Sequence, residues 1–430
     1  MAIDFLAELR WRGMLYQMTD GLEERFARGP VTAYVGFDPT ADSLHVGHLV
    51  PVFGLIHLQR AGGRPIALVG GGTGMIGDPS GRSAERNLLD PETLDRNARA
   101  IGDQLARFLD FTPGPSAARM IDNREWLGTY SLIEFLRDIG KHFTIGYMLA
   151  KDSVKIRLES GLSFTEFSYM TLQAADFLHL YRDHGCELQM GGADQWGNIT
   201  AGTELIRRVL GLGDDGQPRA HALVHPLLTM PSGRKFGKTE EGAVFLAAHR
   251  TSPYAFNQYW VNTDDRDLPQ LLRSLTLLGR EGIEALEAEQ SAHPERRVGQ
   301  RALAWDLTAR VHGAEAAELQ RRVSDVLFGG DPAGDAAVDP AVLEEAFEHA
   351  GDRVTVSASA ATGGALTFTG ATGVYSSNSE ARRGIAQGGL MINGTRIASP
   401  DDPVPAPIGG SLFLVRTGKR RVRVVKLSGG

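Results

Sequence analysis

Cysteine is nearly missing from this chain: Cys186 stands alone among 430 residues. No intrachain disulfide can form, nothing points to an oxidising compartment, and a small buried residue is the ordinary reading of such a cysteine. Long apolar runs are missing too. No stretch of about 18 apolar residues occurs, so no membrane-spanning helix is expected. Met1–Tyr16 lacks a basic segment followed by an apolar run, which leaves the cytoplasm as the expected location and no membrane as a partner. Nor is there an excess of positive charge. The 45 Lys and Arg against 52 Asp and Glu leave a net charge of −7, so any contact with nucleic acid has to come from local patches. No cluster carries metal-ligand spacing, so no tightly held metal is expected. Internal repeats are absent as well.

What is present suits a folded chain of several domains. Hydrophobic residues make up 42% and charged residues 23%, enough for a sizeable core, and the length suggests two to four domains of about 100–200 residues each. Short, turn-bounded apolar runs at Thr32–Phe37, Pro65–Gly70, Arg119–Asp122, Glu187–Met190 and Ala222–Leu228 predict strands. Helical patterns lie between them, over Val46–Arg60, Leu94–Asp110, Ser131–Ile139, Phe164–Leu180 and Asn198–Leu210. Alternation of this kind predicts a parallel sheet covered on both faces, with ligands beyond the carboxyl ends of its strands. From about Ser252 only helical periodicity remains, through Leu268–Leu278, Ile283–Gln290, Pro294–His312 and Ala314–Leu327. Gly329–Asp339 is rich in Gly, Ala, Pro and Asp and reads as a linker. A short helix and hairpins follow from about Leu366, with Asn393-Gly394 as a turn.

Three constellations in the sheet domain carry chemistry. In Tyr34–His48, a strand delivers Gly36 and Asp38, Pro39 and Thr40 turn the chain, and Asp42 or Ser43 is positioned to cap the helix that bears His45, Gly47 and His48. Two histidines three apart on a first turn, beside free backbone donors, suit a phosphate whose charge grows during displacement. Gly47 removes a side chain where a nucleotide could approach. From HxxH alone, a helix start that happens to hold two histidines is the more ordinary reading. In Lys235–Thr239, on a loop after an apolar strand, Lys235 and Lys238 can swing onto a polyphosphate. A solvated charged loop fits the same residues, and a P-loop is ruled out because Ser232 stands where its first glycine belongs. In Gly191–Thr200, Gly192 lets backbone approach a ligand and Asp194 suits ribose hydroxyls, although a structural turn would look similar. Gly72, Gly74 and Gly77 imitate a dinucleotide fingerprint, but Asp78-Pro79-Ser80-Gly81 supplies a turn where that motif needs a helix. On the helix Phe164–Leu180, Tyr169, Gln173 and Asp176 share one face, opposite Phe164, Phe167, Ala174 and Leu178. That stripe faces either solvent or buried partners.

HVGH at 45–48, followed far downstream by KFGKT at 235–239 on an alternating α/β pattern, resembles the HIGH and KMSKS signatures of class I aminoacyl-tRNA synthetases. GFDPTADSLHVGH and GGADQWGN resemble the tyrosyl enzymes of bacteria in particular, and the likeness spans nearly the whole chain. KFGKT departs from the consensus at three positions but keeps both lysines. The resemblance implies an α/β, Rossmann-like parallel-sheet catalytic domain over 1–228 with a connective insertion at about 124–160. A signature loop and all-α domain would follow over 229–328, then a linker over 329–362 and a small α+β RNA-binding domain over 363–430. It implies ATP-driven activation of L-tyrosine and transfer to the tRNA for tyrosine, with Mg2+ carried by the nucleotide, and a homodimer whose interface is sought at Ser131–Ile139 and Lys141–Tyr147. No inserted editing domain is visible.

By the same resemblance, Thr40, His45 and His48 belong around the phosphates and ribose of ATP, together with Gly36, Asp38, Gly47, Gly192 and Asp194. Lys235, Lys238 and Thr239 belong on the leaving pyrophosphate, assisted by Arg82 and Arg86. Tyr34 and Asp176 would meet the phenol hydroxyl. Tyr169, Gln173 and Asp78 would hold the α-amino group, with Gln195 near the carboxylate and Asn123 and Gln189 close by. Lys151, Lys155, Arg207 and Arg208 are candidates for the acceptor arm. At the carboxyl end, Ser379–Gln387 reads as a capped helix bearing Arg382 and Arg383, and Arg416–Lys426 adds six basic residues, Arg420 and Arg421 among them. Such side chains supply mainly salt-dependent phosphate contacts.

Overall fold

The computed structural model describes residues 3–78, 80, 89–151, 154–155, 161–231, 236–239, 242–328, 338–349, 353–418 and 421–428. Two compact units are present, Met1–Val311 and His312–Gly430.

In the first unit, strands β1 (Gln17–Met18), β2 (Thr32–Phe37), β3 (Arg64–Val69), β4 (Arg119–Asp122), β5 (Leu188–Gly192) and β6 (His221–His225) form one sheet in the order β1-β6-β5-β2-β3-β4. Five strands run parallel, and only β1 is antiparallel, against β6. Side chains of β2 alternate between two cores. Ala33, Val35 and Phe37 pack with the helix Leu49–Arg60, while Tyr34 packs with the helices Phe164–His184 and Trp196–Leu210. This period of two is what a sheet covered on both faces requires. Strand order reverses between β2 and β5, which opens a crevice at their carboxyl ends.

The helices obey local signals. Ser163 caps Phe164–His184 by accepting from the Glu166 amide, and Gly185 ends it at φ +61. Asp90 caps Pro91–Leu105, with proline in the first turn. Two expectations fail near the first signature. Ser43 donates its hydroxyl to the Leu44 carbonyl, and Asp42 pairs with His249 and Arg250. Neither caps the helix. The cap is His45 itself, at the head of the 3-10 turn Val46–His48. Phe164, placed on the apolar face, is 75% exposed, although Glu166 in the same first turn is buried. The apolar run after residue 221 leaves the sheet at His225, short of the expected Leu228.

Beyond β6, Lys238–Thr239 (β7) and Gly242–Ala243 (β8) form a small hairpin where a plain loop is expected. The helices Pro253–Val261, Leu268–Leu275, Arg280–Ala292 and Val298–His312 complete this unit. In the second unit, residues 329–337 of the expected 329–362 linker lie outside the described residues, and the linker reading does not hold for the described part that follows. Pro340–Glu348 is a helix capped by Asp339, and Val354–Val356 is a strand (β9). Apolar Val342, Leu343, Ala346 and Phe347 give that helix a buried face, which outweighs the Gly- and Pro-rich sequence before it. The strands β10 (Leu390–Ile392), β11 (Thr395–Arg396), β12 (Leu412–Thr417) and β13 (Arg421–Leu427) complete a five-stranded sheet with β9 parallel at one edge. Asn393 and Gly394 both take positive φ at the β10–β11 turn.

Candidate active site

A cavity of about 510 Å³ opens at the switch point between β2 and β5. It gathers Tyr34, Gly36, Asp38, Thr40, His45, Gly47 and His48 from β2 and the turn after it, and Asp78 and Asn123 from the loops after β3 and β4. Tyr169, Gln173 and Asp176 enter from one helix, and Gln189, Gly192, Asp194 and Gln195 from β5 and its exit. Thr73, Ser80, His225 and Phe236 also line it, and sequence reasoning missed them. Nothing marks Thr73 or His225 locally. Lys235, Arg82 and Arg86 lie outside the described residues, and of Lys238 and Thr239 only the backbone is described.

At the phosphate end, the His45 Nδ1 accepts from the Gly47 amide and the His48 Nδ1 accepts from the His45 amide, both at 3.1 Å. A neutral imidazole that accepts at Nδ1 carries its proton at Nε2, so both rings become Nε2–H donors. Gly47 has a steric reason beyond ligand approach. A Cβ there would stand 2.8 Å from the His45 ring and expel it from the cap. The second signature closes on the first through backbone bonds. The Val46 amide donates to the Val244 carbonyl, the Val244 amide to the Gly237 carbonyl, and the Leu246 amide to the Leu44 carbonyl. Gly237, at φ +77, sits against Val46 and donates its amide to the Tyr259 hydroxyl at 3.0 Å. The two signatures therefore meet.

At the other end lies a buried polar chain. Tyr169 Oη donates to Asp38 Oδ2 (2.8 Å), and Thr73 Oγ1 donates to Asp38 Oδ1 (2.7 Å). Asn123 Nδ2 donates to Thr73 Oγ1 (2.9 Å) and to Asp176 Oδ2 (2.8 Å). Trp126 Nε1 donates to Asp176 Oδ1 (2.8 Å). Asp176 is 1% exposed, so the helix stripe faces partners and not solvent. Burial pushes its carboxyl well above the usual range, although the Asn123 and Trp126 bonds pull the other way. The Tyr34 hydroxyl and the Gln189 Oε1 are buried and have no partner among the described residues. Burial, then the nearby Asp176, raises the Tyr34 phenol. Gln195 Nε2 donates to Asp78 Oδ2 (2.6 Å), and Asn198 Nδ2 reaches Asp78 Oδ1 (3.4 Å). Burial, then Asp78, raises the Asp194 carboxyl. The imitation fingerprint is explained here as well. A Cβ on Gly72 would crowd Leu127 and the Asn123 Oδ1, one on Gly74 would stand 2.9 Å from Pro39, and Gly77 takes φ +86. These glycines serve close packing and a turn.

The basic candidates lie elsewhere. Lys151 Nζ donates to Thr200 Oγ1 (3.2 Å), and Arg207 and Arg208 both pair with Glu204; Lys155 is exposed. Arg382, Arg383 and Arg421 are exposed, and Arg420 lies outside the described residues. Three of the six basic residues at 416–426 serve the scaffold instead. Arg416 donates to the Val326 carbonyl and Arg423 to the Thr372 carbonyl, and Lys426 pairs with Glu344. Among the described residues no cluster of three or more His, Cys, Asp or Glu side chains could hold a metal, and no helix is long and apolar enough to cross a membrane.

A switch-point cavity with paired imidazole donors, tied to a lysine-bearing hairpin and ending in a buried carboxylate, has the parts of a class I aminoacyl-tRNA synthetase. The chain belongs to that class: residues 27–329 match the family model "tRNA synthetases class I (W and Y)". It is similar to the tyrosine–tRNA ligase of Anaeromyxobacter dehalogenans, 51% identical over 429 residues and 99% of each chain. Similarity to that of Geobacillus stearothermophilus is 46% over 434 residues, covering 99% of this chain and 100% of the relative. Among solved structures, a C-terminally truncated mitochondrial tyrosyl-tRNA synthetase of Aspergillus nidulans matches with a TM-score of 0.66 at 31% identity. That match covers 74% of this chain and 92% of the other. A tryptophan-bound tryptophanyl-tRNA synthetase of Encephalitozoon cuniculi shares the fold at 15% identity, with a TM-score of 0.53 over 74% and 88% of the two chains.

Proposed function

We infer that this chain is a tyrosine–tRNA ligase: it activates L-tyrosine with ATP and passes the tyrosyl group to the 3′ end of the tRNA for tyrosine. The observation that carries the choice of amino acid is the closed end of the cavity. There Asp176 keeps acceptor capacity and the Tyr34 hydroxyl is buried without a partner among the described residues. A para-hydroxyl donates to the first and accepts from the second, whereas a plain ring leaves the Tyr34 hydroxyl unpaired and brings Asp176 no further donor, at a desolvation cost. An indole lacks a hydroxyl to do both, which disfavours the tryptophanyl alternative.

In the first step a tyrosine carboxylate oxygen bonds to the α-phosphorus, and the bond from that phosphorus to the bridging oxygen of pyrophosphate breaks. In the second, a hydroxyl of the terminal ribose attacks the tyrosyl carbonyl and AMP leaves. No covalent enzyme nucleophile is needed, so positioning and charge stabilisation carry the rate. Nε2–H of His45 and of His48 donate to the phosphates, with Thr40 beside them. Lys235 and Lys238 take the charge of the leaving pyrophosphate, with Thr239, Arg82 and Arg86 assisting, and Mg2+ enters with the nucleotide. Asp194 and Gly192 receive the ribose. The acidic surroundings of Asp78, Tyr169 and Gln173 hold the α-ammonium, with Gln195 at the carboxylate. The tRNA is gripped by Arg382, Arg383, Arg420 and Arg421, with Lys151, Lys155, Arg207 and Arg208 toward its acceptor arm.

The enzyme works in the cytoplasm as a homodimer. Support for the dimer is the helix Leu132–Asp138, which has no buried residue yet carries Leu132 and Ile133 at 70% and 71% exposure. An Ile133→Asp variant sedimenting as a monomer is the expected result. The deciding experiment for function is ATP–pyrophosphate exchange with tyrosine, phenylalanine and tryptophan compared side by side. Exchange that depends on tryptophan and ignores tyrosine would overturn the assignment.

A further inference from the structure

Asp176 is aimed by two donors of different rigidity. The Asn123 side chain is held from several sides, since its Oδ1 accepts from the Gly72 amide (2.7 Å) while its Nδ2 bonds Thr73 and Asp176. Trp126 sits in the four-residue helix Arg124–Leu127 and reaches the carboxylate through one polar atom. Its aim therefore depends on what lies against the ring. The imidazole of His179 lies there, nearly parallel, with centroids 4.1 Å apart and planes 20° from one another. His179 follows Asp176 by three positions on the same helix, hence on the same face. It is fastened in turn by Asp183, one turn further on, with Nδ1 to Oδ2 at 2.9 Å.

We propose that His179 is a positioning residue for amino-acid specificity: laid flat on Trp126, it fixes the indole so that Nε1–H holds Asp176 in the orientation that receives a para-hydroxyl. This rests on the reading that Asp176 meets the ring hydroxyl. Offset stacking of two planar rings has a defined geometry that an aliphatic neighbour does not impose. Truncating the imidazole frees the indole to rotate, and the carboxylate loses one of its two orienting bonds. Only the hydroxyl-dependent part of recognition suffers, because phenylalanine has no hydroxyl to offer Asp176.

The experiment measures kcat/KM for tyrosine and for phenylalanine in pyrophosphate exchange, normalised to active sites, in His179→Ala, His179→Phe and Asp176→Asn. His179→Ala is expected to lower the tyrosine value about tenfold, the size of one lost aromatic pair, and to leave the phenylalanine value within about twofold. His179→Phe, which keeps a flat ring on the indole, is expected to restore the ratio. Equal losses for both amino acids in His179→Ala, or an unchanged ratio while Asp176→Asn collapses it, would overturn the role of His179 alone. An unchanged ratio in Asp176→Asn would overturn the pocket reading and this inference with it.

Discussion

Gly47 shows how one missing methyl serves the chemistry. The His45 ring folds back over the Gly47 amide to cap its own turn, and a Cβ at position 47 would stand 2.8 and 2.9 Å from two of its atoms. Gly47→Ala is therefore expected to release His45, so that its Nε2–H no longer faces the phosphates. Loss of one oriented donor to a developing charge costs roughly 10²-fold or more in rate. Pre-steady-state adenylate formation should slow by about that factor, with the tyrosine KM unchanged; a normal rate would remove His45 from the phosphate role. Two other histidines bear on stability in acid. Burial, then nearby Arg12, Arg60 and His225, holds the His57 imidazole down to about 3, and burial holds His225 down to about 4. Unfolded, each titrates near 6.5. Above that pH neither state binds the proton and the contribution vanishes. From about 6.5 down to 3–4 the unfolded chain takes protons that the folded chain refuses, so stability falls as acid is added. Each histidine steepens this limb by about 1.4 kcal/mol per pH unit. Urea melts from pH 7 to 4 should show a shallower decline in His57→Leu, and an unaltered slope would mean that His57 ionises in the fold.

Between elements, the pairing of the two signatures is closed at its outer end by side chains. Asp42, just before the histidine turn, bonds both His249 and Arg250, which follow the β7–β8 hairpin. Burial raises the Asp42 carboxyl, but the bonds and charges of these partners together outweigh it and hold the group below its usual value. Asp42→Ala is expected to loosen the segment that carries Lys238, raising the KM for ATP several-fold while tyrosine binding, measured alone, stays unchanged. Equal effects on both ligands would show a general loss of folding instead. The same residue shows where sequence reading stops. Asp42 has the type and place of an N-cap, and only a contact more than 200 positions away, invisible to local patterns, diverts it. Strands β2 to β6 were legible because each is a turn-bounded apolar run. β1 and β9, at two and three residues, are too short to show a period. That Tyr169, Gln173 and Asp176 share one face was legible from helical spacing, but the burial of Tyr169 and Asp176 was not. Trp126, Thr73 and Asn123 join it through tertiary bonds that no spacing encodes.

At the scale of the molecule, the boundary between units decides how the chain can be divided. Composition points to the Gly329–Asp339 stretch, yet a cut there would strand the helix Ala314–Phe328, which packs against Pro340–Glu348. Gln320 donates to Glu345 and Arg322 pairs with Asp339 across that packing. Gln320 is 1% exposed, so exposing it beside uncovered apolar groups would destabilise the product. The compact units instead divide at Val311. The helix Val298–His312 belongs to the first, with Leu303, Ala304, Leu307 and Val311 in its core. A chain ending at Gly313 is thus expected to melt cooperatively and to form tyrosyl-adenylate at a rate within about twofold of the full chain, since every described residue of the cavity precedes that point. The exposed Arg382, Arg383 and Arg421 go with the removed unit. Because basic groups of this kind bind mainly phosphates, aminoacylation should fall by more than 10²-fold at moderate salt. Charging measured in parallel with exchange separates the two steps. Undiminished charging by the shortened chain would mean that the second unit has another task.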